Sequence, residues 1–174
     1  MDHRKLFIAA ALAAAALPAP AVAAPVNATS DASGRALILI PLKITKIDDL
    51  DFGTVITSGS SGTVALNATT GARSFAGGVS GLASAPGKRG YFGGAGTPSQ
   101  QVVVAVVPPA QLQNANGDTI DVLALTLDNG GNPLRTIDPV ARTFFVGVGG
   151  ILNLSANQPD GDYSATFQMT ANYL

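Results

Sequence analysis

Apolar and polar residues alternate without a break near the end of the chain. Tyr163, Ala165, Phe167, Met169, Ala171 and Tyr173 fall on one side, and Ser164, Thr166, Gln168, Thr170 and Asn172 on the other. A two-residue period places each set on one face of a β-strand. The sequence closes at Leu174, inside this strand, so its edge is expected to find a neighbour supplied from elsewhere. A second β-prone run covers 36–45, where Ile38, Ile40, Leu42 and Ile44 share one face. Pro41 lacks a ladder donor, which puts this run at a sheet edge or bends it. Between the two lie short apolar runs at Phe52 to Ile56, Thr63 to Leu66, around Tyr91, Val102 to Val107, Ile120 to Leu127, Thr143 to Val146 and Ile151 to Leu154. Asn116-Gly117, Asn129-Gly130 and Pro159-Asp160-Gly161 mark turns between them. Val102 to Val107 is apolar on both faces, as a central strand covered on both sides would be. The Gly-, Ala- and Ser-rich stretch from Gly71 to Gly96 predicts long loops around one or two weak strands. No helical period stands out, and the pattern predicts an all-β, immunoglobulin-like sandwich.

The first residues have another purpose. Arg4 and Lys5 precede an apolar run from Leu6 to Leu17, and Ala21 and Ala23 follow at signal-peptidase spacing. That is the pattern of an export signal over 1–23, too short for a membrane span, with cleavage expected before Ala24. Residues 24–35 are small and polar and read as a flexible lead-in, leaving 36–174 as one β-sandwich domain. The protein is therefore expected to pass through the periplasm to the cell surface or the medium, without an integral membrane span.

Composition narrows the chemistry. Of ten Lys and Arg and eleven acidic residues, Arg4, Lys5 and Asp2 fall in the leader, leaving eight against ten in scattered positions. No basic face is offered to nucleic acid. Cysteine, tryptophan and glutamate are absent, and the one histidine, His3, leaves with the leader. Disulfides, thiolate metal sites and the usual nucleophile–base pairs lose their parts, so neither catalysis nor a cofactor is expected. Asp48, Asp49 and Asp51 offer the hard oxygens calcium takes, but not at EF-hand spacing, and a solvated turn before a strand is the simpler reading. Gly93-Gly94-Ala95-Gly96 and Gly147-Val148-Gly149-Gly150 lack the helix and acidic residue of a dinucleotide loop and read as turns or close sheet packing.

Several segments taken together resemble a known family. Pro41-Leu42-Lys43-Ile44, Leu50-Asp51-Phe52-Gly53-Thr54-Val55, Phe145-Val146-Gly147 with Gly150 and Leu152, and Gly161-Asp162-Tyr163-Ser164-Ala165-Thr166-Phe167 through Asn172-Tyr173 resemble the bacterial family called domain of unknown function 4402. Gly71 to Asp138 matches loosely. Members of that family are secreted, without assigned activity, and pilin-like. A more distant resemblance is to chaperone-usher and spore-coat-U-like pilins, in which a Gly opens the last strand and Tyr is next to last, as Gly161 and Tyr173 are here. The chain departs from the archaic pilins in lacking cysteine.

The resemblance implies donor-strand complementation, in which the N-terminal strand of one subunit fills a groove in the next. Ile38, Ile40, Leu42 and Ile44 would then be the inserted side chains, and Tyr163, Phe167, Met169 and Tyr173 would line the terminal-strand groove that a chaperone or a like subunit meets. At roughly 1.5–3 kcal/mol per buried aliphatic side chain, four such residues supply on the order of 6–12 kcal/mol. The implied partners are like subunits, a periplasmic chaperone and an outer-membrane usher. The same run read by itself serves equally as the domain's own first strand. Three classes follow: a structural subunit of a fimbria-like or other cell-surface assembly, a monomeric exported binding module of adhesin type, and a small outer-membrane barrel. The first is the expectation adopted, since a sugar-binding module wants tryptophan and a barrel wants aromatic girdles.

Overall fold

One of two twelve-residue strands organises the molecule, and it runs straight through a glycine-rich stretch. A computed structural model describes residues 33–174; the leader at 1–23 and the lead-in from 24 to 32 lie outside the described residues. Among the described residues there are ten strands: β1 (Lys43–Asp48), β2 (Val55–Leu66), β3 (Arg73–Gly81), β4 (Gly90–Ala95), β5 (Gln101–Val107), β6 (Gln111–Gln113), β7 (Thr119–Leu127), β8 (Leu134–Thr136), β9 (Thr143–Leu154) and β10 (Gln168–Tyr173). They form two antiparallel sheets, a seven-stranded one built on β9 and a three-stranded one in the order β10-β5-β8. The chain is an all-β sandwich. Among the described residues no helix is long and apolar enough to cross a membrane.

One edge of β9 carries β4 along Thr143–Val148 and then β2 along Gly150–Leu154. Its other edge carries β7 along Val148–Asn153. β1 continues the sheet beyond β4, β3 beyond β2, and β6 beyond β7. The glycines inside β9 allow a second segment to lie flat on the strand. A Cβ at Gly147 would sit 2.2 Å from the Ala68 carbonyl oxygen, and one at Gly149 would sit 2.1 Å from that of Leu66.

The core divides in two. The first cluster holds Phe92, Phe144, Val146 and Val148 of the large sheet against Val102 and Val104 of β5, with Ile137 beside them. Val106, Phe167, Met169, Ala171 and Tyr173 pack on it from the small sheet and the segment leading into β10, and Leu42 and Ile44 pack on it from the N-terminal side. The second cluster holds Val64, Val79, Ile120, Leu152 and Leu154, with Phe52, Val55, Leu112, Val122 and Tyr163 around them. No residue of β5, β8 or β10 belongs to it. The small sheet covers half of the large one, and segments without regular pairing face the other half.

Several expectations are altered in detail. Thr143 to Val146 and Ile151 to Leu154 are parts of one strand, β9. Gly71 to Gly96 contains two well-paired strands, β3 and β4, rather than long loops around weak ones. The first strand begins at Lys43 instead of Ala36, because pairing to β4 starts at Lys43↔Ala95 and residues 33–42 have no ladder partner. The last strand is shorter than its alternation suggested. Ser164 pairs with Gln113 of the large sheet while Gln168–Tyr173 pairs with β5 of the small one. The residues between cross from one layer to the other and can pair with neither. β5 is central in its sheet but covered on one face only: Val102 and Val104 are buried and Val107 is 57% exposed.

Replacing Val146, which is fully buried, by alanine should cost about 2 kcal/mol in urea unfolding, while Val140→Ala, at an 88% exposed position, should stay within about 0.5 kcal/mol.

Candidate functional site

Where the small sheet ends, a cleft of about 970 Å³ lies over the second core cluster. Its floor is apolar and is drawn from four strands: Val64 of β2, Leu152 and Leu154 of β9, Ile120 and Val122 of β7, and Leu112 of β6. One wall is 49–55 with 85–88, and the other is 158–165 with Phe167.

The first wall is two crossing turns. Asp51 and Lys88 exchange backbone hydrogen bonds at 2.9 and 2.8 Å, and the Asp51 carboxylate accepts the Gly53 N–H at 2.7 Å. Gly53 has φ +68°, and a Cβ there would lie 2.2 Å from the Ala85 carbonyl oxygen, so this crossing requires glycine twice over. The Arg73 guanidinium donates to the carbonyls of Phe52, Thr54 and Leu82 at 2.9, 3.1 and 2.8 Å, anchoring the wall to β3. The Lys88 ammonium donates to Asp48 at 2.8 Å and that of Lys46 to Asp49 at 2.6 Å. Lys88 is held above its usual pKa by its hydrogen bond to Asp48, then by that carboxylate's charge, with smaller help from Asp49 and Asp51.

The second wall is held by side-chain amides and a phenol. Tyr163 donates its hydroxyl proton to the Pro159 carbonyl at 2.7 Å and accepts from Gln158 at 3.0 Å, while the same Gln158 amide donates to Thr119. Ser164 and Gln113 exchange two backbone hydrogen bonds at 3.0 Å. Buried Asn114 lies against Gly161 and gathers the backbone N–H groups of Asn116 and Asp118 on its side-chain oxygen. With both walls tied down in this way, the cleft is preformed. Its rim bears Asp49, Asp51, Asp160 and Asp162. Apolar floor, fixed walls and acidic rim suit an apolar body with a cationic end.

A second feature sits at the far end of β10. The Tyr173 hydroxyl accepts the Thr97 N–H at 2.7 Å and donates to the Ile40 carbonyl at 2.9 Å, and the Ile40 N–H donates to the Thr97 hydroxyl at 2.9 Å. This closed ring joins the lead segment, the β4–β5 turn and β10. It also divides the four side chains read as a donor set. Leu42 and Ile44 pack inward on the first cluster, Ile40 is 45% exposed, and Ile38 is 87% exposed, next to Leu37 at 70%. The groove set divides likewise. Tyr163 and Phe167 line the cleft, whereas Met169 and Tyr173 pack on the first cluster. Phe167 meets Phe92 edge to face at 5.9 Å. β10 pairs with β5 on one side, and among the described residues no strand pairs with its other edge.

The three aspartates 48, 49 and 51 are engaged in ion pairs and a turn, and among the described residues no group of three or more acidic, histidine or cysteine residues is placed to hold a metal. The cleft floor was not singled out by the sequence. Its only signal there is the alternation within β2, β7 and β9, which marks inward residues without saying what faces them. On the outer face of the large sheet, Tyr91 and Phe145 stack at 5.6 Å with Arg89 over Tyr91 at 4.8 Å, a contact the sequence also left unmarked.

The model of the family described as domain of unknown function (DUF4402) matches residues 42–173, and the chain belongs to this family. No curated protein and no solved structure matches the chain. The matched span opens at Leu42, the first inward residue after the exposed lead segment.

Tyr173→Phe removes both phenol hydrogen bonds. It should lower stability by about 1 kcal/mol in urea unfolding and speed amide exchange at Thr97, with the exchange of β9 amides changing less.

Proposed function

We propose that this member of the family is a non-catalytic structural subunit of a fimbria-like or other cell-surface assembly, in which each copy gives a strand to the next. The observation that carries the reading is the division of the lead segment at Ile40: downstream residues complete the subunit's own core, while Leu37 and Ile38 stand in solvent. Large aliphatic side chains on an extended, unpaired segment are a liability unless a partner covers them. Covering what Leu37, Ile38 and Ile40 still expose would contribute roughly 3–6 kcal/mol, a large share of the stability of a domain.

A segment on one surface and an acceptor on another make a head-to-tail contact, which propagates as a fibre unless it closes on itself. Export through the leader at 1–23 would deliver the subunit to the periplasm, where a chaperone would cover the segment until an outer-membrane usher passes it on. The inward packing of Leu42 and Ile44 also favours a second reading, a self-completed monomeric binding module, since the core does not wait for a partner.

Protein sheared from the cell surface and run in SDS with and without boiling separates the two. The assembly reading expects a ladder of heat-sensitive multimers that collapses to one band on boiling. The ladder should be absent from a Leu37→Asp, Ile38→Asp variant, whose substitutions spare the subunit's core. A single band before and after boiling, from a protein that unfolds cooperatively, would overturn it in favour of the monomeric module.

A further inference from the structure

We infer that the cleft over the second core cluster is the acceptor site, and that its occupant is the Arg35–Leu39 segment of a second copy, with Ile38 toward the floor and Arg35 at the acidic rim. This rests on the assembly reading above and names the partner's segment and the place it enters. That place is at the opposite end of β10 from Tyr173.

The floor supplies the first argument. Val64, Ile120 and Leu152 are themselves buried, but no strand of the small sheet lies over them, and half-buried Phe52, Leu112, Val122, Tyr163 and Phe167 line the space above. The cleft, at about 970 Å³, lies at the upper end of the range for ligand sites, roughly 300–1,000 Å³, which leaves room for several side chains. An extended strand turning Ile38 toward that space, with Leu37 and Leu39 on its other face against the walls, matches it in shape and polarity.

Charge supplies the second. The cleft is lined by Asp49, Asp51, Asp160 and Asp162 and by one cation, Lys88, paired with Asp48; Asp49 is paired with Lys46 and Asp51 is taken up by Gly53. Among the described residues Asp160 and Asp162 take part in no ion pair. Arg35 is the one charged residue between Ser33 and Leu42, and it is exposed. Opposite charge at the mouth of a cleft steers approach and fixes register.

Reach excludes the subunit's own segment. Ile40 is held at Tyr173 by hydrogen bonds. Phe167, at the cleft, is six residues along the chain from Tyr173, ~20 Å in extended form. Leu37 is three residues from Ile40, ~10 Å, and falls short.

The chain has no cysteine, so single introduced cysteines report unambiguously. Ile38→Cys and Ala165→Cys variants, both at exposed positions, are mixed, allowed to assemble and oxidised. Thr170→Cys on β10 and Ser80→Cys on β3, both at exposed positions, replace Ala165→Cys as controls. The proposal expects a disulfide-linked dimer with Ala165→Cys and not with either control. It also expects association roughly tenfold slower in Asp160→Asn, Asp162→Asn protein, with weaker salt dependence. Multimers that link through Thr170→Cys, or that form without a link through Ala165→Cys, would overturn the acceptor site while leaving assembly intact. A disulfide-linked monomer in the Ile38→Cys, Ala165→Cys double variant would overturn it in favour of the subunit's own segment. Absence of multimers from unsubstituted protein would overturn the assembly reading and the site together.

Discussion

A strand of twelve residues is faced by strands of six and seven. β9 carries apolar side chains inward along most of its length, from Phe144 to Leu154, while β10 and β5 end partway along it. Apolar surface on the uncovered half stays in contact with water unless something else covers it. The fold answers with turns instead of a strand: the crossing of 51–54 with 85–88 on one side and the Gln158–Tyr163 network on the other. Turns spend their hydrogen bonds on themselves and leave a trench between them. The cleft, its preformed walls and its acidic rim all follow from that difference in length.

The ring of hydrogen bonds at Tyr173 settles how the N-terminal segment divides. By holding both the N–H and the carbonyl of Ile40, directly or through Thr97, it fixes the point at which the chain leaves its own core. Residues after Ile40 are committed to the first cluster and to β1; Leu37 and Ile38 before it are left in solvent. Pro41, next to the ring, lacks the N–H that would let the segment continue as a ladder. One chain thus presents an uncovered segment and a preformed cleft at positions too far apart to satisfy each other.

Much of the architecture was legible because burial leaves a period. Phe167, Met169, Ala171 and Tyr173 alternate inward as the sequence suggests, whereas β5, apolar at almost every position, shows no period and reads as covered on both faces although only Val102 and Val104 are buried. Gly147 to Gly150 hid the continuity of β9, since glycine reads as an interruption when in fact it lets 66–68 cross the strand closely. Gly71 to Gly96 was illegible because glycine, alanine and serine carry too little hydropathy to show a period, although β3 and β4 pair along their lengths. The start of β1 was read early because Ile38 and Ile40 are in phase with Leu42 and Ile44, and phase does not record where a partner strand begins. The cleft floor comes from strands distant in sequence. Only the pairing of β2 and β7 on opposite edges of β9 brings Val64, Ile120 and Leu152 together.

Amide hydrogen exchange, compared between assembled protein and isolated monomer, tests the claim that a second copy's strand completes the short layer. The account predicts that amides of 36–40 and of 165–167 become slow together on assembly, while β9 amides, already paired on both edges along much of the strand, change little. Assembly that leaves both segments exchanging as fast as in the monomer would contradict it.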